Sequence, residues 1–225
     1  MRRRGWGKML AAACALVLAA GCNDTMWLEY RDDPYLAGKN EKSNADVMRG
    51  VNDASAAKRQ IALRSLAARA GEARLAGRRD EAQELETVII RRYGIEKDQV
   101  VRASIVRMCA PAVGRGSTAM VMFLRDRIAA GEFPGYAALS LAYLGPRGAF
   151  DDIEPLTRHP APEVRLQAAE ALTILGDQRG YEAVSRVWRG MQDGLWPERV
   201  EGVSRLEAKT GLEQRARRVF GRPLA

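Results

Sequence analysis

The sequence predicts an all-α fold, and three observations support that prediction. From about residue 45 onward, apolar side chains recur at helical spacing, and glycine or proline separates the periodic segments. No segment alternates apolar and polar residues regularly enough to predict a β-strand. Aromatic residues make up only 6% of the chain, whereas Ala, Leu, Val and Arg are abundant. This composition is typical of helices that pack through small side chains.

Eleven helices are predicted from the periodicity. They cover residues 45–51, 55–70, 79–92, 98–110, 117–130, 134–144, 148–157, 162–175, 178–190, 197–209 and 212–220. Asp98 can cap the fourth helix, and Ser117 or Thr118 the fifth, because their side-chain oxygens accept hydrogen bonds from the first backbone amides. Pro162 suits the first turn of its helix. Five glycines are expected at helix ends: Gly71, Gly94, Gly131, Gly145 and Gly176.

A repeated pattern connects these helices. The clearest unit runs from Ala161 to Asp177, and its apolar spacing recurs when the chain is shifted back by 31, 63 and 106 residues or forward by 34. Four of the five registers carry arginine at one point, and the fifth carries Pro134 there. The four arginines are Arg59, Arg102, Arg165 and Arg199. A helix pair cannot cover its own apolar face, so such a repeat predicts pairs that stack on their neighbours.

Three parts of this unit carry a resemblance: the Pro162–Arg165 start, the Ala168–Leu172 helix and the Leu175–Asp177 end. They are similar to HEAT-like repeats, in the short form found in phycobilisome-lyase-type HEAT proteins. The similarity is close over residues 95–210 and loose over 45–93. It implies an α-solenoid over residues 45–225, a right-handed superhelix of about five antiparallel helix pairs. The pattern is irregular at 71–95, where segment 77–82 looks more like a tetratricopeptide helix. An inserted helix and a second solenoid type both remain compatible with an all-helical superhelix.

The N-terminus has the parts of a bacterial export signal: basic residues, a short apolar stretch and a break at small residues. The basic residues are Arg2, Arg3, Arg4 and Lys8. The apolar stretch, Met9–Ala20, is too short to span a bilayer, which takes about 20 helical residues. The Gly21-Cys22 break resembles a lipobox. This resemblance implies cleavage between Gly21 and Cys22, with a diacylglycerol on the Cys22 sulfur and palmitate-type acyl chains. A plain secretory peptide and an uncleaved anchor are the alternatives.

This interpretation divides the chain into a signal peptide (1–21), a tether (22–44) and a HEAT-like body (45–225). The lipid would hold the protein to a membrane of the cell envelope. Asn23, rather than Asp, follows the cysteine. Under the sorting rule of enteric bacteria, this favours the periplasmic face of the outer membrane over the inner membrane.

The charge balance does not indicate a nucleic-acid partner. The whole chain carries 36 basic and 28 acidic residues, a net charge of +8, and four of the basic residues belong to the signal peptide. No basic stripe with interleaved aromatic residues remains. Cys109 would be left alone once Cys14 is removed and Cys22 is acylated, and its apolar neighbours predict a buried thiol. His159 is predicted in a loop, and we expect neither a metal site nor a cofactor.

No catalytic constellation is evident, so the sequence predicts a protein that is not an enzyme. Glu81, Glu84 and Glu86 share one helix and are expected on a solvated face. Asp151 and Asp152 suit a helix N-terminus. The segment 114–118 is rich in Gly and Ser/Thr, but it lacks the Gly-Lys-Ser/Thr that a phosphate-binding loop needs.

Four residues are candidates for partner binding: Trp188, Trp196, Arg165 and Arg199. The tryptophans are expected in the core, and the alternative is an aromatic anchor for a partner. The recurrent arginines are expected to join adjacent units, and the alternative is a line of charge for an acidic partner. A C-terminal group is expected to coat the last helix, with contact to anionic lipid as its alternative. It comprises Arg215, Arg217, Arg218 and Arg222.

These observations favour a non-catalytic scaffold: a membrane-tethered envelope lipoprotein that binds an unidentified envelope protein through its HEAT-like surface. One alternative is a structural assembly factor of an envelope complex. Another comes from the resemblance, since some short HEAT proteins are bilin lyases, which implies a tetrapyrrole-handling enzyme. The absence of a candidate acid, base and thiol argues against the lyase.

Overall fold

The computed structural model describes residues 44–192, 196–200 and 202–224, and its fold there is mainly α-helical, as predicted. The α-helices are α1 (Asn44–Val51), α2 (Ala56–Leu75), α3 (Arg79–Ile95), α4 (Gln99–Ser104), α5 (Ala110–Val113), α6 (Thr118–Ala129), α7 (Pro134–Leu144), α8 (Ala149–Ile153), α9 (Pro162–Leu175), α10 (Tyr181–Gln192) and α11 (Arg205–Phe220). A π-helix (Ile105–Cys109) joins α4 to α5, and two 3₁₀ helices cover Glu154–Arg158 and Gln178–Gly180. The predicted signal peptide, the lipidation site Gly21-Cys22 and the tether before residue 44 lie outside these ranges.

The predicted N-caps are confirmed in detail. The Asp98 carboxylate accepts hydrogen bonds from the amides of Val100 (2.8 Å) and Val101 (3.2 Å) at the start of α4. Of the two candidates for α6, Ser117 is the cap, and its Oγ accepts from the Met120 amide at 3.1 Å. These bonds satisfy amides that have no partner within the helix, which is why both helices begin there.

Three of the five predicted glycine ends are confirmed, and two are wrong. Gly131, Gly145 and Gly176 follow α6, α7 and α9 with φ of 68°, 60° and 71°. Gly71 instead lies inside α2 and Gly94 inside α3. At Gly71 the missing side chain makes room for another helix, because an added Cβ would lie 2.4 Å from the Ala112 carbonyl oxygen.

The predicted helix 98–110 continues beyond its expected end, to Val113. Proline inside a helix removes one hydrogen bond, and its ring collides with the carbonyl four residues earlier. Here Pro111 would meet the Arg107 carbonyl, and the chain widens into the π-helix around that residue. The Ser140 hydroxyl on α7 donates to the Val106 carbonyl at 2.6 Å. A neighbouring helix thus supplies a hydrogen bond to a backbone carbonyl of the π-helix.

The predictions were wrong at the C-terminal end. Instead of helices at 197–209 and 212–220, there is a two-stranded antiparallel hairpin and then one helix, α11. The strands are β1 (Arg199–Val200) and β2 (Val203–Ser204), and Gly202 turns between them with φ of 84°. A capping box starts α11: Ser204 Oγ accepts from the Glu207 amide, and Glu207 accepts from the Ser204 amide.

The core is built largely from small side chains, as the composition predicted. Ala67, Ala70, Ala137, Ala168 and Ala169 are fully inaccessible to solvent. Helix α7 contacts α9 more extensively than it contacts any other described element, and α2 contacts α3 more extensively than any other. Short side chains allow such helices to approach closely. Among the described helices, none combines the length and the apolar character needed to cross a membrane.

Candidate interaction surface

Arg59 and Arg165, two of the recurrent arginines, each donate two hydrogen bonds to backbone carbonyls at the same offsets before them. Arg59 donates to the carbonyls of Asp53 (3.0 Å) and Ala54 (2.8 Å), which lie six and five residues before it. Arg165 donates to the carbonyls of His159 (2.9 Å) and Pro160 (2.8 Å), at the same two offsets. Each guanidinium thus binds the turn that leads into its own helix.

The other two recurrent arginines differ. Arg102 donates to Glu132 at 2.9 Å, and its guanidinium lies 4.4 Å from the centre of the Tyr93 ring. Arg199 lies in the hairpin, where it donates to the Gly202 carbonyl at 2.5 Å and remains exposed. Of the four recurrent arginines, only Arg199 is exposed, and the other three are half-buried.

The two candidate tryptophans lie at different depths. Trp196 is buried, with the Arg165 guanidinium 4.7 Å from its ring centre and an added Gly190 Cβ only 3.3 Å from its Nε1. Trp188 is half-buried, and the Lys209 ammonium lies 4.6 Å from its ring. Both rings therefore face a cation, an attractive arrangement for the negative face of an indole. The structure brings Arg165 and Trp196 together, and it places Trp188 against α11 instead.

The hairpin and the first turn of α11 expose two apolar side chains, Val203 and Leu206, that the shift forward by 34 residues had placed at apolar positions of the repeat. Val203 is 43% exposed and Leu206 is 72% exposed, whereas Val200 on the other strand is buried. Arg199 is exposed on the same hairpin. We call Arg199, Val203 and Leu206 the hairpin patch. Its sequence signals were the Gly202 turn and the Ser204–Glu207 capping box, which separate this segment from the helix that follows.

Glu96 at the end of α3 is the most strongly bonded carboxylate. Its oxygens accept from Arg59 (2.8 and 3.0 Å), from Arg92 (2.9 and 3.1 Å) and from the amides of Lys97 and Asp98 (both 3.0 Å). Burial alone would raise its pKa, but the hydrogen bonds from Arg59, the Asp98 amide and Arg92 outweigh that and lower the pKa to about 2. The carboxylate thus ties α2 to the junction between α3 and α4.

A second cluster is centred on Glu132, between α6 and α7. One oxygen of Glu132 accepts from the Tyr93 hydroxyl at 2.8 Å, from Arg102 and from Arg127. The Tyr93 hydrogen bond contributes most to a lowered pKa for Glu132, burial opposes it, and the arginines add to it. Burial and the Glu132 carboxylate together raise the pKa of Tyr93. Phe133, next to Glu132, has a left-handed backbone (φ 51°) that is uncommon for a residue with a side chain.

The prediction of a solvated acidic face on α3 is wrong for Glu86. Glu84 is exposed, but Glu86 is only 1% exposed. Its carboxylate accepts from the Ser117 hydroxyl at 2.6 Å and pairs with Arg74, which also donates to the Gly116 carbonyl. A buried carboxylate is tolerated when such donors replace water. Glu86 therefore holds the 114–117 loop.

The remaining predicted residues can be placed briefly. His159 lies in a loop before α9, where its Nδ1 accepts from the Ala161 amide at 3.1 Å. Asp151 and Asp152 lie in the first turn of α8, and Asp152 pairs with Arg125 at 2.8 Å. The side chain of Cys109 lies outside the described part of the molecule. Within that part, no group of three or more His, Cys, Asp or Glu residues could hold a metal ion.

Comparisons with known proteins give no assignment. No protein-family model, no curated protein and no solved structure matches this chain at a significant level. The class of protein that the structure supports is a mainly helical protein with a short C-terminal hairpin, in which Arg199 and Val203 are exposed.

Proposed function

We propose that this protein is a lipid-anchored component of the cell envelope that acts as a non-catalytic scaffold through a HEAT-like α-solenoid. The observation that carries the proposal is the order in which helices contact one another. Helix α2 contacts the α4–π–α5 segment, that segment contacts α7, α7 contacts α9, and α9 contacts α11. Such nearest-neighbour stacking of alternate helices is the arrangement of a helical repeat protein.

Each of these four steps has a close contact of its own. The contacts are Gly71 with the Ala112 carbonyl, Ser140 with the Val106 carbonyl, Gly135 with Gln167, and Arg215 with Glu170. The second set of helices is joined in the same manner. Its contacts are Tyr93 with Phe123 (α3 to α6), Arg125 with Asp152 (α6 to α8) and Arg186 with Glu154 (α10 to the 3₁₀ helix Glu154–Arg158). Two parallel series of contacts support the repeat interpretation.

The matched bonds of Arg59 and Arg165 give independent support. Both bind the carbonyls five and six residues before them, although 106 residues separate them. The sequence register that aligned these two arginines therefore also aligns their local geometry. These bonds lie within one unit, so they fix how its helix begins instead of joining adjacent units as the sequence analysis expected.

We assign the protein contact to the hairpin patch. Protein interfaces combine an apolar centre with cationic side chains, and arginine is enriched among residues that contribute strongly to affinity. Val203 and Leu206 supply the apolar surface, and Arg199 supplies the charge. The Arg205 guanidinium, at the start of α11, donates to the Trp196 carbonyl at 3.2 Å and so links this helix to the buried tryptophan.

Replacing Cys22 with Ala tests the anchor. The lipobox resemblance implies that the Cys22 sulfur carries the diacylglycerol, so the variant should lose labelling by a radioactive fatty acid and leave the membrane fraction. Cys109→Ala is the matched control and should keep both properties. Labelling that persists in Cys22→Ala would contradict the anchor.

Replacing Leu206 with Asp tests the protein contact. A charge in the centre of an interface typically costs more than about 1 kcal/mol of binding free energy. The amount of a stoichiometric partner recovered from detergent-solubilised membranes should therefore fall at least about fivefold. Leu75→Asp is the control, because Leu75 is 91% exposed at the end of α2 and lies outside the patch. Equal recovery with both variants, or equal loss, would rule out the hairpin patch as the contact.

A further inference from the structure

The net charge of the helical body is concentrated at its C-terminal end. Residues 214–222 contain four basic side chains and no acidic one. Residues 44–213 contain 25 basic and 23 acidic side chains, so they are almost balanced. This nine-residue segment has a net charge of +4, against +2 for residues 44–213, although Glu213 directly before it pairs with Arg217.

Three of these four arginines lie on the outer side of α11 or just after it, whereas Arg215 is half-buried and pairs with Glu170. One stripe of the helix is buried, and the residues between its members are more exposed. The buried stripe consists of Ala208, Leu212, Ala216 and Phe220. Arg217 and Arg218 are exposed, as is Gln214 beside them, and Arg222 just after the helix is exposed as well. We call Gln214, Arg217, Arg218 and Arg222 the basic end of α11.

The chain beyond α11 turns toward α10. The Tyr181 hydroxyl on α10 donates to the Pro223 carbonyl at 2.7 Å, and Leu224 is buried. The Arg222 guanidinium lies 3.5 Å from the centre of the Tyr181 ring. The buried stripe of α11 holds one side of the basic end, and the contacts with Tyr181 hold the segment after the helix.

We propose that the basic end of α11 lies on an anionic phospholipid surface. A planar layer of phosphates attracts clustered arginines by about 1 kcal/mol for each charge near the surface. A protein partner would call for an apolar centre, and the basic end exposes no large apolar side chain. This inference rests on the proposed anchor, because a tether of residues 22–43 would keep the body within ~75 Å of the bilayer.

The hairpin patch lies in the hairpin and the first turn of α11, and the basic end lies in the last turns of α11 and just after it. Leu206 lies in the first turn of this helix and Arg217 eleven residues later, about 17 Å along the axis. Bilayer contact at one end therefore leaves the other available for a protein. Arg217 is held in place by Glu213 at 2.8 Å, one turn earlier in the same helix.

Energy transfer between the body and the lipid tests the proposal on the full-length acylated protein. A fluorescent noncanonical amino acid replaces Gln214, and vesicles of phosphatidylcholine, with or without phosphatidylglycerol, carry a labelled acceptor lipid. Transfer should be higher with phosphatidylglycerol, and about 0.5 M salt should abolish the difference because charge screening shortens the reach of the attraction. Arg217→Glu with Arg218→Glu should lower the ratio of docked to undocked protein by at least ~30-fold.

A charge-matched control variant separates position from net charge. Arg78→Glu with Arg79→Glu changes the net charge equally, and Arg78 is paired with Glu81 much as Arg217 is paired with Glu213. This variant should transfer energy as the parent does. Equal loss in both variants, or transfer that does not depend on phosphatidylglycerol, would overturn the proposal.

The same samples distinguish failure of the anchor from failure of this inference. Flotation with pure phosphatidylcholine vesicles reports the lipid anchor. If the protein does not float with them, the proposed anchor is wrong, and flotation with phosphatidylglycerol vesicles then measures the basic end by itself. No flotation with either kind of vesicle would overturn both.

Discussion

Replacing Gly71 with Ala is expected to lower the free energy of unfolding by about 1–2 kcal/mol. The new Cβ would lie 2.4 Å from the Ala112 carbonyl oxygen and 3.5 Å from the Val113 carbonyl oxygen. Both atoms belong to the backbone, so no side chain can rotate away, and α2 must move from α5. Overpacking of this kind costs about 1–3 kcal/mol, which outweighs the gain of up to about 1 kcal/mol for alanine over glycine in a helix.

The same substitution at Gly94 is expected to have the opposite effect on the free energy of unfolding. Gly94 also lies within a helix, but it is exposed and an added Cβ would meet nothing within 4 Å. Gly94→Ala should therefore raise the free energy of unfolding by about 0.5–1 kcal/mol. Urea titrations followed by circular dichroism measure both changes. Equal effects of the two variants would show that α2 and α5 do not approach as closely as described.

Replacing Glu96 with Gln is expected to cost about 3 kcal/mol of stability at pH 7. The side chain is 2% exposed and is paired with Arg59 and Arg92, whose side chains are 11% and 16% exposed. Removing the negative charge leaves two largely buried guanidiniums without compensation, a change that typically costs 3–5 kcal/mol. Glu84→Gln, on the exposed side of α3, should change stability by less than about 0.5 kcal/mol.

The effect of Glu96→Gln should depend on pH. The pKa of Glu96 is about 2 in the folded protein, against an ordinary value of 4.5. Its contribution to stability is therefore fully present above pH 4.5 and is lost as the pH falls toward 2. The contribution amounts to about 2–3 kcal/mol after allowance for solvent screening.

Urea unfolding of the parent and of Glu96→Gln at several pH values between 7 and 2.5 measures this dependence. The difference between the two proteins should shrink as the pH falls below 4.5, because the parent alone loses its charged group. Other carboxylates titrate in both proteins, so the comparison cancels them. A difference that stays constant down to pH 2.5 would contradict the lowered pKa.

Local signals in the sequence were sufficient for most helix boundaries. Asp98 and Ser117 cap helices through bonds to amides two or three residues away, and Gly145 and Gly176 end helices through their own backbone angles. Such interactions lie within a few residues of the boundary, so a single chain segment contains all the information.

The errors occurred where distant parts of the chain decide the outcome. The packing role of Gly71 was missed because its partner, the Ala112 carbonyl, is remote in sequence. The helix continues through Pro111 because a π-turn and Ser140 from α7 accommodate it. Glu86 is buried because Arg74 and Ser117 meet it from two other segments.

By itself, the sequence determined that the described body is helical, where most helices begin and end, and that one register aligns Arg59 with Arg165. Those properties depend on side-chain periodicity and on capping, which are local. Only the tertiary structure decided which glycines are packing sites, which carboxylates are buried, and that Arg199, Val203 and Leu206 are exposed. These outcomes depend on burial and on hydrogen bonds between segments far apart in the chain, whose energies exist only once the helices have packed.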